Sequence, residues 1–363
     1  MKIVVDDKIP YIRETICQLA DEVVFLSGAA ITAADVKDAD VLVVRTRTRC
    51  NQQLLEGSKV QLVVTATIGY DHIDTQWLDK AGIRWTNCPG CNSGSVAQYL
   101  ECTLLLLEQQ KELSLHQSTI GIVGCGHVGS KVKAVAERLG MQVLVCDPPL
   151  ATLSPKFFDH SQSVALRIGD DRGLNERLFV SLDEIERRCD VITFHVPLTR
   201  EGQYATWHLA DEDFFRRLSR VPYIINTSRG EVVDNQALLK ALEEGRVRDA
   251  VIDVWENEPH PDAALLEKVF IGTPHIAGYS ADGKVNADNM VIDAICQQFG
   301  LPHPEPIVPP TLPSDIHLTG SPLDLYNPMD DSQKLKADAS QFEQLRNNYP
   351  LRREKIDQKV AQV

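Results

Sequence analysis

The sequence has no surplus of positive charge: 37 Lys and Arg stand against 51 Asp and Glu, a formal net charge of −14. Such a surface repels phosphodiester backbones and anionic lipid, so neither nucleic acid nor a membrane is an expected partner. Long apolar runs are missing as well. The strongest, from Val96 to Leu107, is too short for a bilayer and is broken by Gln98 and Glu101. The start, Met1-Lys2-Ile3-Val4-Val5-Asp6-Asp7, lacks the extended apolar region of a secretory signal, and a cytoplasmic location is expected. Cysteine gives no disulfide framework: the nine are an odd number, scattered from Cys17 to Cys296, and Cys102, Cys125 and Cys146 lie inside apolar runs. They read as buried, reduced thiols. No second CxxC or HxxxH pair accompanies Cys88-Pro89-Gly90-Cys91, so no metal is expected, and a redox role would need its own fold context.

What remains is an ordinary soluble composition, 43% hydrophobic and 24% charged, in 363 residues, enough for two or three domains. Short β-branched runs alternate with helical patterns, the sequence form of α/β units with parallel strands. Strands are expected near Ile3–Asp6, Val23–Leu26, Val41–Val44 and Leu62–Thr65, making residues 1–95 one lobe. Helical spacing from Ser95 to Glu108 links it to a second lobe, 96–277. Six strands are expected there, at Thr119–Val123, Gln142–Cys146, Val191–Phe194, Tyr223–Asn226, Ala250–Asp253 and Val269–Thr273. Ser181 with Glu184 reads as a capping box, Asp234 as a helix cap, and Gly140 and Gly245 as helix ends. A helix from about Ala281 to Phe299 returns to the first lobe, which then comprises 1–95 and 278–300. Six prolines in 302–313 predict an extended linker to a C-terminal region, 301–363. Phe342 and Leu345 there need a surface to dock on, either another subunit or their own chain.

The strand Thr119–Val123 runs into Gly124-Cys125-Gly126-His127-Val128-Gly129 and then a helical stretch. Gly124 permits the tight turn, Gly126 lets backbone amides approach a pyrophosphate, and Gly129 lets helix and strand pack closely. The next strand ends at Asp147, placed to accept from ribose hydroxyls and to repel a 2′-phosphate, so the expected cofactor is NAD. The stretch from Leu150 to Leu178 has no clear periodicity and reads as a surface insertion, with a lid or cofactor contacts as the alternative.

Three further segments follow strands: Asn226-Thr227-Ser228-Arg229-Gly230, Asp253 through Pro259, and Thr273-Pro274-His275-Ile276-Ala277-Gly278. Ligands bind at such carboxyl ends in open α/β sheets. In this order after the glycine loop, the segments resemble the D-isomer-specific 2-hydroxyacid dehydrogenase family over about residues 1–300. The resemblance implies two Rossmann-like lobes, doubly wound parallel sheets joined by crossing helices, with NAD as cofactor. It makes Arg229 the holder of the substrate carboxylate, His275 the general acid/base and Glu258 the partner of the imidazole. Around NAD it places Gly124, Gly126, His127, Val128, Gly129, Asp147, Val196, Thr227, Ser228, Arg229, Asp253 and Gly278. Asp253 has a second reading, as a carboxylate that only organises its loop. His195 reads as a structural neighbour.

A narrower likeness, to the branch acting on a phosphorylated hydroxy acid, rests on Val44-Arg45-Thr46, Thr65 through His72, Pro89-Gly90-Cys91-Asn92, Cys146-Asp147-Pro148-Pro149, Thr193-Phe194-His195, His275 through Ser280, and Asn348 through Arg353. It implies substrate contacts from Thr46, Thr67 and Tyr279, and a small C-terminal dimerisation appendix, hence a homodimer. Arg45, Arg47 and Arg49 share one loop that can meet the substrate phosphate, with a solvated strand edge as the plain alternative for the latter two. Another dehydrogenase of the same family and a dinucleotide-sensing interaction protein are the competing functions.

Overall fold

The computed structural model describes residues 1–152, 179–312 and 319–355; nearly all of the expected insertion between Leu150 and Leu178 lies outside them. The chain forms two units. One takes the described residues of Met1–Asn92, Tyr279–Asp315 and Leu351–Val363, the other those of Ser93–Gly278 and Ile316–Pro350.

The first unit is built on five parallel strands, β1 (Lys2–Asp6), β2 (Glu22–Leu26), β3 (Val41–Val44), β4 (Leu62–Thr65) and β5 (Arg84–Thr86), in the order β2-β1-β3-β4-β5. The central strands are apolar at every position because both faces of the sheet are covered. Ile3, Val5, Val41, Val43, Leu62 and Val64 point to one core, and Val4, Leu42, Val44 and Val63 to the other. The register pairs Ile3 with Val41 and Val41 with Leu62, so like faces meet; a one-residue slip would exchange them all.

The helix Ala281–Phe299 supplies Ala287, Val291, Ile292, Ile295 and Cys296 to the first of these cores. Ser280 caps it by accepting from the Gly283 N–H at 2.8 Å, and Gly300, at φ 65°, ends it in the left-handed conformation. The proline-rich segment forms no helix or strand over 301–312, and it is pinned: Asn289 exchanges hydrogen bonds with the backbone of Ile307 at 2.9 and 3.0 Å. Residues 351–355 strap the start of the same helix. Arg353 pairs with Asp282 at 3.0 Å, Glu354 accepts from Ser280 Oγ at 2.8 Å, and the Ala281 N–H donates to the Arg352 carbonyl at 2.8 Å.

The second unit opens with the helix Ser93–Gln110 and carries six parallel strands, β6 (Thr119–Val123), β7 (Gln142–Cys146), β8 (Val191–Phe194), β9 (Tyr223–Asn226), β10 (Asp249–Ile252) and β11 (Ile271–Gly272). Their order is β11-β10-β9-β8-β6-β7, and a single parallel bridge from Phe179 to Val145 adds to the β7 side. The sheet order reverses between β6 and β8, where doubly wound folds hold their ligands. The last strand is shorter than the expected Val269–Thr273, because Val269 still caps the helix Ala263–Lys268. Residues 319–350 dock on their own chain: Leu335 and Phe342 are fully buried in this unit's core, and Ser332 Oγ accepts from the Gly272 N–H at 3.0 Å. That contact covers the β11 edge. Asp234 caps its helix as expected, but the box expected at Ser181 is only half formed: Ser181 Oγ accepts from the Glu184 N–H at 3.3 Å, while the Glu184 carboxylate pairs with Arg188 at 3.2 Å; Gly140 and Gly245 take φ of 81° and 70°. All nine cysteines are free and eight are buried, with burial pushing Cys50 and Cys91 up to about 12. Among the described residues no helix is long and apolar enough to cross a membrane.

Asp288, on the helix Ala281–Phe299, is 1% exposed and accepts the Tyr11 N–H at 3.1 Å. Burial pushes its carboxyl up to about 7, against the opposing pull of the Tyr11 hydrogen bond, Arg45 and Lys284. Its stabilising contribution is therefore complete below the unfolded value of about 4 and is lost as pH rises through 7. Asp288→Asn, which fixes the neutral state, is expected to raise Tm relative to the parent protein more at pH 8 than at pH 5. An equal offset at both pH values in thermal melts contradicts this.

Candidate active site

The glycine loop joins β6 to the helix His127–Arg138. Gly124 has φ 90°, and a Cβ there would lie 2.6 Å from the His195 carbonyl oxygen, so glycine is required on both counts. A Cβ on Gly129 would meet the Gly124 carbonyl oxygen at 2.0 Å, which locks helix against strand. No described residue stands within 4 Å of the Cβ position of Gly126, which is exposed together with His127 at the start of a helix that has no side-chain cap. Open amides at a helix N-terminus, with room in front of them, fit a pyrophosphate. Asp147, at the end of β7, accepts from the Cys125 N–H at 2.8 Å and the Leu150 N–H at 3.0 Å, one to each oxygen, which fixes the carboxylate beside the loop. Each oxygen keeps a second lone pair for a ribose hydroxyl. These residues fit NAD. Val196 is half-buried beyond β8.

The chemistry gathers on three loops of the same unit. Glu258 Oε2 lies 2.8 Å from His275 Nδ1, and Glu258 Oε1 accepts from the Trp255 N–H at 3.0 Å. Burial works to raise the Glu258 carboxyl, but the charge of His275 and its hydrogen bond outweigh it and hold the carboxyl below the usual range. His275 itself is in the left-handed region at φ 57°, an uncommon conformation for a side-chain-bearing residue. Asp253 holds it there. The His275 N–H donates to the Asp253 carbonyl at 2.7 Å, and the Asp253 carboxylate accepts from Thr273 Oγ1 at 2.6 Å, the Ile276 N–H at 2.7 Å and the Ala277 N–H at 3.0 Å. Burial pushes the Asp253 carboxyl up, while the nearby His275 and these donors pull the other way. Gly278 follows directly and is half-buried.

Arg229 lies on the loop after β9, shaped by Asn226: its side-chain oxygen accepts from Ser228 N–H and Oγ at 3.1 and 2.8 Å, and its nitrogen donates to the Arg229 carbonyl at 2.9 Å. Arg229 Nη1 donates to the Ser228 carbonyl at 2.8 Å. Gly230 presses so tightly on the next loop that a Cβ would stand 2.1 Å from the Trp255 carbonyl carbon, so the backbones bearing Arg229 and Glu258 are held together. His195 is tied to its neighbours. Its ring nitrogens meet Thr193 Oγ1 at 2.9 Å and Thr227 Oγ1 at 3.3 Å, and burial pushes its pKa down to about 3.

In the first unit, Arg45 Nη1 donates to the Lys8 carbonyl at 3.2 Å, Thr46 is exposed beside it, and Thr67 Oγ1 donates to the Gly69 carbonyl at 2.8 Å. Thr65 Oγ1 bridges Thr67 at 2.7 Å and His72 Nε2 at 3.0 Å. Tyr279 is half-buried with the Lys284 ammonium 5.2 Å from its ring centroid.

Several members of these networks escape motif reading. Thr273 is one: its hydroxyl also meets Tyr99 Oη at 2.9 Å, linking the helix Ser93–Gln110 to the His275 loop. A buried Tyr at helical spacing carries no signal that predicts that partner. His208 is another, with Nε2 2.7 Å from Glu256 and Nδ1 3.5 Å from Asp234. These three groups converge closely enough for a metal, yet Glu256 already accepts the Asn235 N–H at 3.1 Å and Asp234 caps the following helix, so the trio ties loops together.

Asp253→Asn converts one acceptor into a donor facing buried amides, which costs about 1–3 kcal/mol locally and displaces His275. The expected result is a fall in kcat of about 100-fold with the Kd for NAD changed far less. A change confined to NAD affinity would place Asp253 in contact with the cofactor instead.

The sequence profile of the D-isomer specific 2-hydroxyacid dehydrogenase NAD-binding domain matches residues 107–277. Erythronate-4-phosphate dehydrogenase of Bacteroides fragilis (strain YCH46) is 52% identical over 358 residues, covering 98% of this chain and 97% of that one. The enzyme of the same name from Shigella flexneri is 41% identical over 375 residues, covering 98% and 92%. The D-lactate dehydrogenase of Aquifex aeolicus, solved with NAD and lactic acid, superposes with a TM-score of 0.64 at 24% identity, covering 83% of this chain and 96% of that one. The NAD-dependent formate dehydrogenase of Staphylococcus aureus gives 0.62 at 24% identity, covering 85% and 99%. The last two establish the fold, and the first two carry the likeness through the whole chain. The chain belongs to the D-isomer-specific 2-hydroxyacid dehydrogenase family, as an NAD-dependent oxidoreductase that groups with the erythronate-4-phosphate dehydrogenases.

Proposed function

We propose that this protein oxidises 4-phospho-D-erythronate to 3-hydroxy-2-oxo-4-phosphobutanoate with reduction of NAD, a step of vitamin B6 biosynthesis, as a cytoplasmic homodimer. The observation that carries the reading is the His275–Glu258 contact at 2.8 Å on a loop held beside Arg229 in an NAD-binding domain. The names of relatives 41–52% identical over nearly the whole chain supply the substrate. The dimer is supported by the family resemblance.

Bound NAD supplies the hydride acceptor for the C2 hydrogen. The protein's own residues do the rest. With Nδ1 donating to Glu258, His275 Nε2 carries the lone pair and takes the C2 hydroxyl proton. The Glu258 carboxylate stabilises the imidazolium so formed and fixes the ring. Arg229 holds the substrate carboxylate through its planar fork of donors. The amides from Gly126 to Gly129, with His127 and Val128, take the pyrophosphate, Asp147 the adenosine ribose, and Val196, Thr227, Ser228 and Gly278 line the nicotinamide half. Arg45, Thr46, Thr67 and Tyr279 contact the substrate.

The test is NAD reduction by purified protein with 4-phospho-D-erythronate, 3-phosphoglycerate or D-lactate, with a trap for the ketoacid product. Preferential turnover of the erythronate ester, lowered by about 100- to 10,000-fold in His275→Ala, is the expected outcome. Binding of NAD with no reduction by any of the three acids contradicts the proposal.

A further inference from the structure

We infer that Lys284, together with Arg45, forms the site for the substrate's phosphoryl group. The inference rests on the proposed substrate and extends it to a residue that motif reading leaves aside.

Lys284 stands one turn into the helix Ala281–Phe299, on the same unit as Arg45, Thr46 and Tyr279. Four residues further along is Asp288, the spacing at which a helix readily forms an ion pair. The pair is not made: neither Lys284 nor Arg45 is ion-paired to any described residue, and Lys284 instead lies over the Tyr279 ring, 5.2 Å from its centroid. Arg45 directs one donor to the Lys8 carbonyl at 3.2 Å. A guanidinium has five such donors.

One short segment meets both cations' surroundings: its Lys8 carbonyl accepts from Arg45 at 3.2 Å, and its Tyr11 N–H donates at 3.1 Å to Asp288, one helical turn from Lys284. Burial first, and then the charge of Arg45, push the Lys284 ammonium below its ordinary value. Both cations also act on Asp288, yet burial still pushes that carboxyl up to about 7, so it does not fully neutralise them at physiological pH. Like charges gathered in a partly buried place oppose folding unless an anion joins them.

The chemistry selects the anion. The one carboxylate of a 2-hydroxy acid is assigned to Arg229, so a second anionic group belongs elsewhere. A phosphoryl group brings close to two negative charges and three acceptor oxygens, which suits one ammonium plus one guanidinium better than a single carboxylate does. The Tyr279 ring braces the ammonium from the side through its π face. Arg47 and Arg49, on the same loop as Arg45, lie exposed, and Lys284 is the better second cation.

The experiment compares 4-phospho-D-erythronate with unphosphorylated D-erythronate in the parent protein, Lys284→Met and Lys284→Arg. Melting temperature and NAD affinity serve as controls for folding. The ratio of kcat/KM for the ester to that for the plain acid is expected to fall about 10- to 100-fold in Lys284→Met, mostly through KM, and to recover largely in Lys284→Arg. An unchanged ratio in Lys284→Met overturns the assignment and leaves the proposed function standing. Failure of the parent protein to oxidise the ester overturns the proposed function instead. Inorganic phosphate then decides the site: a phosphate-dependent rise in Tm that Lys284→Met abolishes upholds it, and a rise that persists in the variant, or none in the parent protein, overturns it.

Discussion

The buried carboxylate of Asp253 is the constraint on which the chemistry depends. A carboxylate 1% exposed is tolerable only when its oxygens are satisfied, and here three donors from Thr273, Ile276 and Ala277 satisfy them. Those donors belong to the segment that carries His275, so solvating the charge and shaping that loop are one act. The strained φ of His275 follows from it, because the chain must turn sharply to present both following amides to one carboxylate. Thr273 extends the network to Tyr99, and Trp255 reaches it from the other side by donating Nε1–H to the Thr273 carbonyl at 2.9 Å. The imidazole thus sits on a frame tied to a helix, two strands and the Glu258 loop.

A different arrangement governs the first unit. There the cations Arg45 and Lys284 form no ion pair among the described residues, although both act on the buried carboxyl of Asp288, and the helix that bears Lys284 and Asp288 is held by Ser280, Asn289 and the strap at 351–355. A capped and strapped helix carrying a lysine is a way to present charge at a fixed place, which is what recognition of a small anion needs.

The sequence was most informative where geometry is local. Four of the five strands of the first sheet and the six of the second follow from runs such as Val41–Val44, and the glycine loop from Gly124, Gly126 and Gly129, whereas the three-residue β5, Arg84–Thr86, is too short and polar to be expected. The catalytic candidates were legible because each follows a strand, and strand ends are where this topology opens. The rest needs three dimensions. Nothing in the order of residues reveals that Asp253 spends its oxygens on the amides of Ile276 and Ala277, that Tyr99 meets Thr273 across more than a hundred residues, or that Lys284 avoids Asp288. Phe342 and Leu345 offered a choice between two surfaces, and the structure places Phe342 in the core of the second unit.

The most direct test of the central claim is the protonation state of His275 itself, read by nuclear magnetic resonance of protein labelled with 15N in its histidine rings. The account predicts the tautomer with the proton on Nδ1, donated toward Glu258, and the lone pair on Nε2, and loss of that tautomer preference in Glu258→Gln. A ring protonated at Nε2, or a spectrum that Glu258→Gln leaves unchanged, would contradict it.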